Sequence, residues 1–541
     1  MTTEGKKCKL REECCRTAQI LLLVAGIMLI FVGISMIFLA PHLINREIRQ
    51  RKSFEENSEL NYYWENPDYK YRSEIFVFSV NNSHQILDGN KPEVVQIGPY
   101  VYDVHSGRNI VGYGNRSVKY QSVQSFIFDR NASCEECSLH KKIKIPNIIF
   151  QKFAELSSNP VVSSIAHASL TSSQPFIKIS VDDALFKGYV DPFLKNTRTS
   201  FKVCAMPLVD IICKSWKVPD KIGFMLHKNG AQKVVEASIG SEDGSIAAGE
   251  LLKWDGLNLL PENWWNSKHA RKINGSDGGL YKPLIEKTDV IYVFAPDICR
   301  SIHLTFAEEF EYKGIPAYRF TVMEDLLDPA VPGNEGFCHD DGRIFFSEDE
   351  KCLPKGLLDL SHCYSGKPPV IFSFPNFLYA DERIKKSVIG LNESSVEHDS
   401  ITLEIEPRTG TLLRIYIRYQ INIAILKDQK VINDFISMVL SKKRSTIVPL
   451  LAEFQVVEIG NGSLTFLRRM LRLIKMAFAF LCFIPIGVGI LFISVALFIK
   501  LHSKTRLMNK IMECKSNKVT VQVQSLPDNQ KNISFIVDKI H

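Results

Sequence analysis

Residues 17–40 read TAQILLLVAGIMLIFVGISMIFLA, and residues 476–499 read MAFAFLCFIPIGVGILFISVALFI. Neither stretch carries a charged side chain, and each holds 24 residues. As helices they are each about 36 Å long, enough to cross a hydrocarbon core of about 30 Å with some tilt. A helix satisfies its own backbone hydrogen bonds, which lipid requires of a spanning segment. The pair predicts a two-pass membrane protein: a tail at 1–16, a first span at 17–40, a domain at 41–475, a second span at 476–499 and a tail at 500–541. Both tails then share one side of the bilayer and the large domain occupies the other. The first span is too long and wrongly flanked for a removable signal peptide, so it is expected to stay as a signal anchor.

Basic residues flank both spans on both sides, so the positive-inside rule carries little weight. Sequons and cysteines decide instead. The domain holds N-x-S/T triplets at Asn81, Asn115, Asn131, Asn274, Asn392 and Asn461, and eight cysteines. Six sequons exceed chance, and an even cysteine count fits oxidative pairing. The domain is expected to be extracellular or lumenal and the tails cytosolic. Asn532, in a tail, is read as a chance match.

The net charge of +7 sits in the tails, which carry +2 (residues 1–16) and +5 (residues 500–541) and leave the domain neutral. Basic tails suit an anionic inner leaflet, at about 1 kcal/mol per nearby Lys or Arg, and do not point to nucleic acid. The domain is long enough for a large core or for a core with a cavity.

Short alternating stretches dominate it: Glu74–Val80, Gln121–Phe128, Val290–Phe294, Ala317–Val322 and Val370–Phe374. Ser400–Glu406 and Leu412–Ile423 flank Thr409-Gly410 and read as an antiparallel hairpin. Residues 147–172 differ. Ile149, Phe153 and Leu156 recur with helical spacing, Asn159-Pro160 interrupts, and Val161, Ile165 and Ala168 resume. This predicts a helix pair joined at the proline, partly exposed by its Ser and Ala content.

Cys299, Cys338, Cys352 and Cys363 lie within 65 residues without the CxxC pairs that zinc prefers. They sit in D-I-C-R-S-I (Asp297 to Ile302), G-F-C-H-D (Gly336 to Asp340), K-C-L-P-K-G (Lys351 to Gly356) and S-H-C-Y-S-G (Ser361 to Gly366). Further motifs run in order along the chain. They are G-P-Y-V-Y (Gly98 to Tyr102), I-P-N (Ile145 to Asn147), G-Y-V-D-P-F (Gly188 to Phe193), I-N-G-S-D (Ile273 to Asp277), G-I-P-A-Y-R-F (Gly314 to Phe320), P-N-F-L-Y-A-D (Pro375 to Asp381), L-E-I-E-P-R-T-G (Leu403 to Gly410) and V-P-L-L (Val448 to Leu451). Together and in this order they resemble the class B scavenger receptor family, over nearly the whole chain.

The resemblance implies an α+β ectodomain with an antiparallel β-barrel core, a helical cap at 147–172 and an internal lipid tunnel. It also implies bridges Cys299–Cys363 and Cys338–Cys352, each worth about 2–4 kcal/mol. For Cys134, Cys137, Cys204 and Cys213 the sequence fits either 134–137 with 204–213 or cross-pairing. Ligands of such a family are lipids and lipoproteins, with protein ligands bound at the cap. Phe153, Val161, Ile165 and His167 are the cap residues expected to meet them. A lysine that serves some members falls near Ser172 here, in an uncharged stretch.

Family members are palmitoylated next to their spans, which points to Cys8, Cys14, Cys15 and Cys514. Cys482 is read as a packing residue of the second span. The glycines Gly26, Gly33, Gly487 and Gly489 do not form GxxxG, so no dimer face is expected. The tails show neither an acidic dileucine nor a tyrosine sorting signal, which favours the plasma membrane over the lysosomal membrane. No cofactor or metal is expected, and no catalytic motif reads convincingly. A two-pass ligand-gated channel and an ectoenzyme share the topology and are the rival readings.

Overall fold

A computed structural model describes residues 3–51, 59–156, 174–191, 221–240, 246–339, 352–425 and 446–524. It divides into two compact units, Ile48–Arg468 and the pair Met1–Glu47 with Arg469–His541.

The first unit is built on strands: β1 (Tyr69–Val80), β2 (Val94–Gly114), β3 (Ser117–Asp129), β4 (Lys142–Pro146), β5 (Phe176–Ser180), β6 (Gly230–Ser238), β7 (Leu251–Trp254), β8 (Ile291–Ala295), β9 (Arg300–Tyr312), β10 (Ile315–Val322), β11 (Leu357–Asp359), β12 (Val370–Ser373), β13 (Thr402–Glu406), β14 (Thr411–Ile425) and β15 (Thr446–Ile459). Thirteen form one sheet in the order β7-β6-β3-β2-β1-β15-β14-β13-β10-β9-β8, with β12 also on β14 and β11 on β12. All these pairings are antiparallel. Strands β4 and β5 pair separately.

The sheet nearly closes on itself. Its two ends, β7 and β8, are bridged by Gly275 and Ser276. Leu251 N–H donates to Gly275 C=O (2.8 Å), Ser276 N–H to Tyr292 C=O (3.2 Å) and Phe294 N–H to Ser276 C=O (3.0 Å). Gly275 has φ +86°, and a Cβ there would lie 1.9 Å from the Tyr292 carbonyl oxygen, so only glycine lets the seam close. Closure removes free sheet edges and gives the sheet an inside and an outside.

Every strand expected from the sequence is present, and the hairpin at Thr409-Gly410 is β13–β14, with Glu406 opposite Thr411. Glu406 ties its turn by accepting from Arg408 N–H (3.0 Å) and Thr409 N–H (2.7 Å). Strand β9 was not expected: Glu308, Glu309 and Glu311 break its apolar run, because its second half lies on the exposed face.

Helix Ile148–Leu156 falls within the expected helix pair, while its partner, with Val161, Ile165 and His167, lies outside the described residues. Asn147 starts it, its side-chain oxygen accepting from Ile149 N–H (3.0 Å) and Phe150 N–H (3.2 Å). Its amide donates to Asp191 (2.8 Å), so two quoted motifs, I-P-N and G-Y-V-D-P-F, meet in a fully buried contact. The described half of the pair is packed in, with Ile148, Ile149, Phe150, Gln151 and Ala154 all buried.

The second unit pairs two long helices, drawn from Thr3–Arg51 and Asn461–Gln524. The stretches Arg16–Arg49 and Asn461–Arg506 are long and apolar enough to cross a membrane. Small residues recur every seventh position on each: Gly26, Gly33 and Ala40, then Cys482, Gly489 and Ala496, all buried. A Cβ on Gly26 would meet Ile493 at 2.7 Å and the Gly489 carbonyl at 2.8 Å; one on Gly33 would meet Ile486 at 2.5 Å and the Cys482 carbonyl at 2.8 Å. The glycines thus serve an antiparallel seam within one chain, and Cys482 is the packing residue it was expected to be.

Candidate functional site

Pleating sends alternate residues of each strand to opposite faces. On β1, Lys70 and Arg72 face solvent while Ser73, Ile75 and Val77 are buried. The register places Tyr71 opposite Val457, Ser73 opposite Gln455 and Ile75 opposite Glu453. Across β14 and β15, Ile415 meets Val457, Ile417 meets Gln455 and Tyr419 meets Glu453. Across β2 and β3, Tyr102 meets Phe128 and Val104 meets Phe126. These residues line the inner face of the nearly closed sheet.

That inner face is not packed solid. Tyr71, Phe126, Phe128, Ile417, Tyr419 and Val457 point inward yet remain partly accessible. Burial nevertheless lifts the Tyr71 and Tyr419 phenols well above their ordinary range, with nearby Glu453 and Asp297 adding to the rise. Partly accessible and desolvated side chains thus share this inner face. Aromatic rings dominate one side of it: Phe126 and Phe186 lie 5.4 Å apart, and Tyr102 and Phe186 4.9 Å.

A polar stripe crosses this lining. Glu453 is fully buried and accepts hydrogen bonds from Ser73 Oγ (2.5 Å), Gln455 Nε2 (2.8 Å) and the Tyr419 hydroxyl. Lys228 donates to Asp297, and Tyr364 OH donates to the Asp297 carbonyl (2.8 Å). Burial pulls the Lys228 ammonium down, but Asp297 outweighs it and the net shift is upward. Sequence reasoning missed these groups. The signal was a carboxylate, Glu453, inside the otherwise apolar run Ile447–Phe454.

Farther along the same face, Asp277 of I-N-G-S-D clamps β2 and β3. It accepts from Arg108 Nη2 (2.8 Å), Tyr120 OH (2.8 Å) and Gly279 N–H (2.9 Å). Burial would raise its carboxyl, but Arg108 and these hydrogen bonds hold it below the ordinary carboxylate range.

The structure forms the bridges Cys134–Cys137 and Cys338–Cys352, with Cα–Cα distances of 5.0 and 5.2 Å. The Cys299–Cys363 bridge implied by resemblance is absent; both residues stand as free thiols, the Cys299 thiol in hydrogen-bond contact with Cys363. Cys299 sits in a left-handed backbone turn that closes the one-turn helix before β9, and its carbonyl is held by Trp265 Nε1 (2.6 Å). The pair is thus juxtaposed rather than bonded. Beside it Trp265, His339 and His362 stack in sequence, at 5.3 and 3.8 Å between centroids. Cys204 and Cys213 lie outside the described residues.

Among the sequon asparagines, Asn81, Asn115, Asn131, Asn392 and Asn461 are exposed and Asn274, at the sheet seam, is half-buried. Cys8, Cys14, Cys15 and Cys514 lie on the two long helices, and Phe153 lies on helix Ile148–Leu156; their side chains are outside the description. Among the described residues no group of three or more His, Cys, Asp or Glu could hold a metal ion.

Residues 24–500 match the CD36 family. Lysosome membrane protein 2 of Homo sapiens is 28% identical over 432 residues, which is 79% of this chain and 83% of that protein. Scavenger receptor class B member 1 of Mus musculus is 27% identical over 475 residues, 86% of each chain. Sensory neuron membrane protein 2 of Ostrinia furnacalis is 25% identical over 401 residues, 71% of this chain and 75% of that protein. With two membrane-crossing helices flanking a β-rich domain, and a family match that reaches from one helix to the other, this chain belongs to the CD36 family.

Proposed function

We propose that this protein is a non-enzymatic lipid receptor of the plasma membrane. It captures lipoproteins or free lipid on its ectodomain and passes lipid through the interior of the sheet, or carries the ligand inward by endocytosis. The observation that supports this reading is the partly accessible inner face of a nearly closed sheet, with Tyr71, Phe126, Ile417, Tyr419 and Val457 on it. Each buried CH₂ is worth about 0.8 kcal/mol, so an acyl chain crosses water at a large cost that such an interior removes without covalent chemistry.

The ectodomain, residues 41–475, faces outward in this reading, glycosylated at its six sequons, with the basic tails in the cytosol and palmitate on the cysteines next to the spans. The names of the relatives supply a second address, the lysosomal membrane. Surface biotinylation of cells expressing the full chain separates the two.

The function itself is tested by transfer of a fluorescent sterol ester from lipoprotein particles into cells expressing the full chain. Ile417→Trp, which fills the interior, is expected to cut transfer several-fold while surface level and particle binding hold. Transfer unchanged by this substitution would remove the interior from the mechanism.

A further inference from the structure

We propose that the pocket beside the Cys338–Cys352 bridge is a carboxylate site, in which Arg300 receives the headgroup of an amphiphilic acid. Arg300 opens β9 and is only 3% exposed. No carboxylate among the described residues pairs with it: its hydrogen-bonding contact is a long one from Nη2 to Asn334 Oδ1 (3.4 Å), and its Nε has no partner. The guanidinium carbon lies 3.7 Å over the Phe337 ring. Burial, with nothing to offset it, pulls the group down to about 9, so it is still a cation at neutral pH.

The largely buried Arg108 and the half-buried Arg319 and Arg414 are treated differently. Arg108 is paired with Asp277, and Arg319 and Arg414 share Glu404. A buried charge without a counter-ion is costly, and a bound anion resolves it.

The pocket has a volume of about 30 Å³, room for a headgroup, and opens to solvent. Leu326, Leu353, Leu357, Leu358 and Phe337 give it an apolar wall, and Arg300 is the one guanidinium on its lining, with His339 beside it. Asp328 and Asp359 also line it, and each is already used: Asp328 accepts from Ala330 N–H (3.0 Å) and Asp359 from Ser361 N–H (2.8 Å). Two carboxylates on the same lining disfavour a phosphate dianion most, so a single negative charge is the most that Arg300 accommodates. The fork of N–H donors fits a carboxylate, and the leucines fit the first methylenes behind it. The lipid role proposed above supplies the source of the acid, whereas the site stands on Arg300 and its surroundings.

The test is equilibrium binding of radiolabelled oleate to the full chain in nanodiscs, with oleyl alcohol, acetate and inorganic phosphate as competitors and thermal unfolding read in parallel. Wild type is expected to show a saturable oleate site that raises Tm, that acetate displaces at high concentration, and that oleyl alcohol does not fill. Arg300→Met is expected to weaken that site at least tenfold while unfolding no lower than ligand-free wild type, because it removes an uncompensated buried cation. Arg300→Lys, which keeps the charge without the fork, falls between them and serves if the methionine variant does not fold. Oleate binding as tight in Arg300→Met as in wild type, equal binding of oleyl alcohol, or displacement by phosphate but not acetate would overturn the proposal. Lipid transfer through the interior would survive any of those results, so the two readings fail separately.

Discussion

Asp277 and Arg108 show how single residues hold the sheet in shape. Their contact is 2.8 Å long and shielded, with Tyr120 and the Gly279 N–H completing the carboxylate. Asp277→Asn leaves a guanidinium without its counter-charge and is expected to destabilise the ectodomain by about 3–5 kcal/mol in chemical unfolding at pH 7. Because the folded carboxyl is depressed, its contribution is complete above the ordinary aspartate pKa of about 3.9 and disappears as pH falls through the lowered value. The wild-type and Asp277→Asn unfolding curves should therefore stay apart from pH 5 to 8 and converge only in strong acid. The bridge Cys338–Cys352 closes a span of 14 residues, so Cys338→Ser with Cys352→Ser should cost about 3 kcal/mol by the same measurement. At this scale the sequence was legible where chemistry is local. Asn147 and Asp191 sit in motifs whose meaning became visible only through their mutual hydrogen bond. Glu453 was missed because its partners include Ser73, 380 residues away, and Tyr419 of another strand.

At the scale of elements, period-two alternation located strands such as β1, β10 and β14, whose inner faces are mostly apolar. It failed on β9, whose acidic second half faces outward, and could not order the strands, since β1 pairs with β15 across almost the whole domain. The spans were legible from composition, but their seam was not: a repeat of seven (Gly26, Gly33, Ala40) carries the packing where GxxxG was sought. Gly33→Leu should lower the unfolding temperature of the full chain in nanodiscs, by overpacking of about 1–3 kcal/mol, because its Cβ meets Ile486 at 2.5 Å. Gly487→Leu is the control. Nothing lies within 4 Å of its Cβ, and it should leave the unfolding temperature unchanged.

At the scale of the molecule, the fold follows from two constraints. The spans are set by the length of apolar sequence, and a sheet of this many strands avoids free edges by curling until Gly275 and Ser276 join β7 to β8. Tyr71, Ile417, Tyr419 and Val457 keep partial accessibility on the inner face of that curled sheet. The buried Glu453 on the inner face, with its bonds from Ser73 and Tyr419, was not expected at all. The most direct test of the account is mass spectrometry of an organic extract from the purified full chain, with Val457→Trp alongside. The account predicts stoichiometric co-purified lipid in wild type and a several-fold loss in Val457→Trp at unchanged folding, whereas an empty wild-type extract, or equal lipid in both, would contradict it.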